Sequence, residues 1–435
     1  MSWTSIAIPA CHSVTIIMPN PRVLISGASV AGPALAYWLV RAGCKVTVVE
    51  RAPTLRTAGQ GLDVRDAARE VVRRMGIFDR LRDKSSKEEG LEIVDKNNRC
   101  LARFGVDMSG RGDTFTCDIE ILRGELAGIL FDITKDDASY IFGDMVESLE
   151  ENEKEIGVNF ANGTPSMTFD LVVAADGTGS KIRGMAFGNR SSHVKSLASY
   201  ISYFSIPLGD TDSMLSRANW VTRGRHVVLR PDNVGRTRPF LGLTAYSKSD
   251  ERLARLEKAT KEDVPAQKAL MQELFHDAGW EISRILKGMH ESDDFYMQHV
   301  VQLRLDRWSN GRVTVVGDAG YSPSPYTGMG TSIAFIGAYV LAGEISRQPN
   351  NIPAALESYE RILRPYVESV QKLFPGIPWI VCPQSALGIR VFETIVWGVG
   401  WLSTTWLATL LSKIASYSLR TEDEFKLPDY EAFKK

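Results

Sequence analysis

Residues 22–50, RVLISGASVAGPALAYWLVRAGCKVTVVE, decide the fold. RVLIS is a short apolar run, GASVAGP a glycine-rich turn, ALAYWLVRAG a helical stretch closed by Gly43, and KVTVVE a second apolar run ending on Glu50. Strand, turn, helix and strand in that order make a βαβ unit. Gly27, Ser29 and Gly32 form a GxSxxG variant of the GxGxxG dinucleotide turn. The first glycine permits the tight turn, and the last lets the helix pack closely on the strand. The helix start offers free N–H groups and a positive dipole end to a pyrophosphate. Serine is among the smallest residues that still let the backbone approach the phosphate at the middle position. Glu50, 23 positions beyond Gly27, stands where a carboxylate accepts hydrogen bonds from ribose hydroxyls. Gly27 to Ala31 also approximate GxSxG, the nucleophile elbow of hydrolases. An elbow needs upstream strands and an oxyanion loop, and only 21 residues precede the first strand.

Two later segments extend the pattern. DLVVAADG (170–177), followed by Ser180 and Arg183, is a buried strand ending on Asp176 and Gly177. RVTVVGDAG, starting at Arg312, ends its apolar run on Gly317 and Asp318, and Pro325, Gly328, Gly330 and Thr331 then lead into the apolar helix SIAFIGAYVLAGEI. Ligands bind at the C-terminal ends of such strands in open α/β sheets, and a second glycine-rich turn feeding a helix aims another set of N–H groups at an anion. The expected fold is α/β: a Rossmann-like nucleotide domain assembled from residues 22–90, 115–190 and 306–375. Residues 91–114 and 191–305 read as an inserted domain with a mixed or antiparallel sheet, since stretches such as SYISYFSIP and RHVVLRP alternate. Residues 376–435 read as a C-terminal helical region and 1–21 as an extension, with Met18 a plausible true start.

The chain has 435 residues, enough for two large cores. With 51 basic and 52 acidic side chains and 44% hydrophobic residues, it is neither a disordered segment nor a broad basic nucleic-acid surface. Five scattered cysteines, odd in number and never spaced CxxC, suggest no disulfide framework, no metal site and a reducing, cytoplasmic setting. The first 21 residues carry no charge and lack the basic start of a secretory signal. From Thr394 to Ser412 there is again no charge, and Ile395, Val399, Leu402, Trp406 and Leu410 recur at helical intervals. That run fits a helix packed on its own protein or a peripheral membrane contact.

Taken together, GxSxxG with Glu50, the Asp176-Gly177 segment and the Gly317-Asp318 segment resemble the FAD-dependent aromatic hydroxylases of the para-hydroxybenzoate hydroxylase class. They are similar in particular to the tetracycline-inactivating branch and to fungal biosynthetic relatives, over about Arg22 to Leu373. The resemblance implies that FAD is the cofactor and NADPH the reductant. Oxygen would be transferred from a flavin C4a-hydroperoxide to an aromatic or enolic, polyketide-like small molecule. It implies Glu50 at the adenosine ribose, Gly61 and Asp63 along the flavin, and Arg123 reaching FAD from its helix. Asp318 would meet the ribityl chain, with Gly330 and Thr331 at the pyrimidine edge; the segment at Asp176 would serve both FAD and NADPH, and Arg56 would meet the nicotinamide nucleotide. Two positions depart from the family pattern: the usual histidine three residues after the aspartate is Tyr321, and the Asp-Ala farther down the helix is Gly337-Ala338. An epoxidase or oxidase on the same scaffold, or a non-catalytic partner-binding protein, are the alternatives; a halogenase is disfavoured, because no Trp-x-Trp-x-Ile-Pro segment occurs. Tyr200, Tyr203, Arg223 and Arg225 could favour an ionised phenol, but each is an ordinary residue of a half-exposed sheet, so no catalytic base is named.

Overall fold

The computed structural model describes residues 20–56, 59–106, 117, 119–188, 193–247, 249–373, 376–377, 379, 382–403 and 425–434. Met18 and most of the expected extension therefore lie outside the described residues, as do residues 404–424.

The nucleotide-type core is a six-stranded sheet. β1 (Arg22–Ser26) lies between β2 (Lys45–Glu50) and β11 (Leu171–Ala174), all parallel. β7 (Ser139–Phe142) adds outside β2 and β19 (Val313–Val315) outside β11, also parallel, and β18 (Ser309–Asn310) closes that edge antiparallel. Strands buried on both faces read as unbroken apolar runs, and Val23, Leu24, Ile25, Leu171, Val172 and Val173 have no exposed surface. The sheet is thus built from pieces far apart in the chain. Helix α1 (Ala31–Arg41) packs against α10 (Gly330–Arg347), and α10 against α11 (Ile352–Val370). A small antiparallel sheet of β8 (Val146–Glu151), β9 (Ile156–Phe160) and β10 (Met167–Phe169), which the apolar pattern did not announce, precedes β11.

The second large sheet runs β17 (Tyr296–Leu303), β12 (Val194–Tyr203), β16 (Arg236–Thr244), β15 (Arg225–Pro231), β14 (Leu215–Val221), β4 (Gly90–Val94) and β5 (Cys100–Gly105). Its pairs are antiparallel except β14 with β4. Period-two alternation splits its side chains between two faces. Tyr200, Val227, Leu229, Leu241 and Leu243 pack under α6 (Glu251–Ala259), α7 (Val264–Phe275) and α8 (Ile282–Glu291). Tyr203, Phe240 and Tyr296, cross-strand neighbours by register, point to the other face.

Between the two sheets lies a two-stranded ribbon, β3 (Gly61–Asp63) paired with β6 (Glu120–Leu122), which leads into α4 (Arg123–Asp132). Helix α12 (Ala386–Ser403) rests on the free face of the second sheet through Phe392, Val396 and Gly400, against Trp220, Ile93 and Ala102. The seam is therefore one residue round from the Ile395–Val399 stripe that periodicity picked out, and that stripe faces outward, at 60% and 47% exposure. Among the described residues no helix is long and apolar enough to cross a membrane.

Candidate functional site

At one end of the cleft, the loop after β1 runs against the loop after β11. Gly27 has φ of 111°, and a Cβ there would stand 2.5 Å from the Ala175 carbonyl oxygen; a Cβ on Gly32 would stand 1.9 Å from that of Gly27. Both glycines of the turn are required by space, Gly27 also by its backbone angle. The Gly27 N–H donates to Val49 O at 2.8 Å. Glu50 Oε2 accepts from Ala28 N at 2.9 Å and Oε1 from Ala52 N at 3.0 Å, so the carboxylate braces the turn. Val30 precedes α1 and no side chain caps the helix, which leaves its first N–H groups open beside half-buried Ser29. Across the cleft, Asp176 Oδ2 accepts from Lys181 N at 3.1 Å while Oδ1 is buried with no partner. Burial pushes the Asp176 carboxyl up, against the pull of Ser180, the local backbone and Arg183. Arg183 joins this loop to the next element by donating to Thr178 O at 2.7 Å and Ala319 O at 3.0 Å.

Further along, Gly317 (φ 63°) is pressed between Ala31 of α1 and Ala334 of α10, which sets the short helix α9 (Asp318–Tyr321) at the cleft. Burial raises the Asp318 carboxyl, with the Arg123 guanidinium and Ser322 opposing. Arg123 Nε is buried without a partner. No side chain caps the start of α10, and a Cβ on Gly330 would lie 3.8 Å from Asp318 Oδ1, so the open N–H groups around Gly330 and Thr331 flank that carboxylate. Asp63 pairs with Arg65 at 2.8 Å and borders the turn at Gly328, where a Cβ would be 3.7 Å from Asp63 Oδ2. Gly61, Asp63, Arg123, Asp318, Gly328, Gly330 and Thr331 are thus brought together, and Gly27, Ser29, Gly32, Glu50 and Asp176 gather at the other end. Arg56 stands apart, exposed beyond β2. Two orphaned buried polar atoms and a cleft walled by glycines suit an elongated dinucleotide such as FAD.

Beside the ribbon lies a cavity lined by Gly59, Gln60, Tyr203, Phe204, Arg238, Phe240, Asp294 and Tyr296. Tyr203 stacks on Tyr296 with ring centroids 5.0 Å apart and meets Phe240 edge-on at 4.8 Å. The Tyr296 hydroxyl donates to Gln60 Oε1, and Arg238 Nη1 donates to Gly59 O at 3.1 Å. Burial drives the Tyr203 phenol far up and the Tyr296 phenol up to about 12. Along the same sheet face, the Tyr326 hydroxyl bonds Ser199 Oγ at 2.9 Å and Thr244 Oγ1 at 3.0 Å. Cys382 Sγ lies 3.8 Å from His226 Nδ1. Burial lifts that thiol to about 11 and lowers the imidazole to about 4. Of the four residues weighed from sequence, only Tyr203 reaches the cavity. Tyr200 faces the helices, Arg225 is taken by Leu274 O and Asp277, and Arg223 is exposed. Tyr296, Phe240, Arg238 and Tyr326 were missed; strand alternation through YISYF and FYMQHVV places Tyr203 and Tyr296 on faces but not which strands are neighbours.

The FAD binding domain family model matches residues 20–373. Monooxygenase CTB7 of Cercospora beticola is 36% identical over 394 residues, covering 88% of this chain and 93% of its own. A flavin-dependent monooxygenase of Legionella longbeachae is 35% identical over 358 residues, covering 81% and 87%. This chain belongs to the FAD-dependent monooxygenases. The crystal structure of tetracycline destructase Tet(51) superposes with a TM-score of 0.73 at 29% identity, covering 94% of this chain and all of that one.

Within this monooxygenase the two departures from the family pattern are one compensated pair. A Cβ on Gly337 would lie 2.1 Å from the Tyr321 hydroxyl, so the tyrosine occupies the room that the missing side chain leaves. Its hydroxyl bonds that of Tyr359 at 2.9 Å, and Tyr359 donates to Val315 O at 3.1 Å. The α9 turn that carries Asp318 is thereby tied to β19 and α11.

Proposed function

We propose that this monooxygenase hydroxylates an uncharged aromatic or enolic small molecule of polyketide-like chemistry, using NADPH as reductant and O2 as oxidant. The observation that carries the reading is the aromatic cavity built directly on Gly59 and Gln60, beside the strand Gly61–Asp63 that the resemblance lays along the flavin. Bound FAD, once reduced, supplies the activation of O2 and the transfer of one oxygen atom. The chain's residues have the remaining work. The start of α1 and Glu50 would hold the diphosphate and ribose; Asp318, Arg123 and the start of α10 would hold the ribityl chain and ring edge. Tyr203, Phe240 and Tyr296, packed on one another, would form an aromatic wall beside the substrate and exclude water. Asp176 and exposed Arg56 would meet NADPH on the flavin's own surface, and the inserted domain would span residues 91–114 and 191–305. The likeness to tetracycline destructase Tet(51), named for its action on a tetracycline, supports a polyketide-like substrate. NADPH oxidation measured with a panel of phenols and polyketides, with product mass, tests it: substrate-stimulated oxidation with gain of one oxygen is expected, and no stimulation by any of them overturns it.

A second observation supports peripheral membrane contact beside a cytoplasmic setting. The outward face of α12 exposes Leu387, Val391, Ile395, Trp397 and Trp401 by 52–72%, and its one hydroxyl on that face, Thr394, is spent on Arg390 O. An apolar face that also carries exposed Arg390 suits an anionic bilayer surface. Replacing Trp397 and Trp401 by serine is expected to abolish co-sedimentation with phosphatidylcholine–phosphatidylserine vesicles, and unchanged sedimentation sinks the idea.

A further inference from the structure

We propose that Glu120, in a buried Glu88–Arg230–Glu120 cluster, is a positioning residue for FAD that holds the strand Gly61–Asp63 where the flavin needs it. The inference rests on FAD occupying the cleft described above.

The argument begins with space. Glu120 sits on β6 directly opposite Asp63 on β3. Its carboxylate lies under Gly61, where a Cβ would be 2.1 Å from Oε1. The acid therefore fills the volume that a side chain at residue 61 would take, and supports the backbone from beneath. Arg230 reaches in from β15 of the second sheet. Its Nε and Nη2 donate to Glu88 Oε2 at 3.1 and 2.9 Å, and Nη2 also to Glu120 Oε2. Exposure of the Glu88 and Glu120 side chains is 1% and 5%, and Glu88 Oε1 is buried with no partner.

Charge then decides the protonation state. The groups facing the cluster are Glu120, Glu88 and Asp63 on the acidic side and Arg230 on the basic side, with Arg65 paired to Asp63. Three carboxylates against two guanidiniums leave one excess negative charge in a site with little water, and a proton on Glu120 removes it. Burial, with Glu88 and Asp63 adding to it and Arg230 opposing, pushes this acid up to about 8. A flavin bound along β3 would exclude more water and disfavour the ionised form further. FAD binding and the Glu120 proton are therefore linked: affinity is level while the free protein keeps the proton and falls as pH rises past about 8.

The experiment dilutes holoenzyme across pH 6.5 to 9.5 and follows flavin release by fluorescence, with circular dichroism for folding. Wild type is expected to weaken about tenfold by the upper end, equivalent to about 1.4 kcal/mol. E120Q, which keeps the shape and cannot ionise, is expected to bind within about twofold of wild type at pH 7 and to stay level. E88Q removes the neighbouring charge, so its weakening begins at lower pH. A merely structural Glu120 would make E120Q weaker at every pH with an unchanged slope, and that result overturns the proposal, as does a level wild-type profile. Absence of FAD binding by wild type at any pH would instead overturn the cofactor assignment beneath it.

Discussion

Gly337→Ala is the substitution whose consequence follows most directly from distances. The new methyl would stand 2.1 Å from the Tyr321 hydroxyl oxygen, 3.3 Å from ring carbon Cζ and 3.4 Å from Leu363 Cδ2. Tyr321 is 1% exposed and wedged against Trp308 at 4.6 Å between ring centroids, and it also borders a cavity lined by Trp308, Val367 and Gln371 that takes up part of any shift. Forcing one carbon into such a core costs about 1–3 kcal/mol, and losing the Tyr321–Tyr359 hydrogen bond adds about 1 kcal/mol. Alanine's helix preference returns somewhat under 1 kcal/mol, so a net loss of about 1–3 kcal/mol is expected. Tyr321→Phe alone should cost about 1 kcal/mol, because Tyr359 keeps its bond to Val315 O. In the double variant the oxygen that clashes is gone and the nearest ring carbon is at a tolerable distance. Its loss should therefore fall short of the sum of the singles by at least about 1 kcal/mol. Urea denaturation followed by tryptophan fluorescence reads this cycle. Additive losses, or a neutral G337A, would show that Tyr321 and Gly337 are not a matched pair and that the reading of the α9–α10 contact is wrong.

Three further outcomes follow from the site. Asp318→Asn removes a charge that burial disfavours, so stability is expected to hold or rise while FAD affinity falls about tenfold or more, the value of a charged hydrogen bond; undiminished flavin retention on gel filtration would count against Asp318 as a ribityl ligand. His226, lowered to about 4 by burial, folds as neutral imidazole, so the stability it carries is complete above its ordinary value near 6.5 and is lost as pH falls toward 4. His226→Phe should therefore flatten the acid limb of a pH–stability curve in that window, and an unaltered limb would place the acid sensitivity elsewhere. Tyr203→Phe keeps the packed ring, so it should leave flavin binding and substrate-stimulated NADPH oxidation near wild type, with no inflection below pH 10 attributable to that phenol in wild type; an inflection that the variant abolishes would mean Tyr203 ionises after all.

The parallel core was legible because its signal is local. Each strand ends on a residue pair, Gly27 after Ser26, Asp176-Gly177, Gly317-Asp318, whose chemistry makes sense only at the C-terminal edge of a buried strand, and the sheet brings all three there. The cavity was not, because Tyr203, Phe240 and Tyr296 become neighbours only through the register of β12 with β16 and β17, strands separated by three helices. The Glu120 cluster was still less visible: Glu88, Glu120 and Arg230 lie in three separate parts of the chain, and no spacing rule connects them. The side of α12 that meets the sheet was not legible, for a physical reason. In a helix this apolar, periodicity finds a stripe but not the side on which the sheet lies, and small Gly400 beside Ala102 fixed the seam instead of the larger Ile395 and Val399.

The charge of the cavity bears on which substrate it would accept. The phenols of Tyr203 and Tyr296, the imidazole of His226 and the thiol of Cys382 are all held uncharged by burial. The one guanidinium on the sheet side of the lining, Arg238, lies 3.0 Å from Asp232 and 3.6 Å from Asp294, so its charge is already answered by two carboxylates. A carboxylate-bearing substrate would therefore meet no free cation on that wall and would lose its hydration without return. A neutral ring system lying against the aromatic wall of Tyr203, Phe240 and Tyr296 would exchange water for apolar contact. Activation of such a ring needs no protein base if it is already an enol or an electron-rich arene, which agrees with a wall that offers hydrogen bonds and aromatic surface but no group titrating near neutrality.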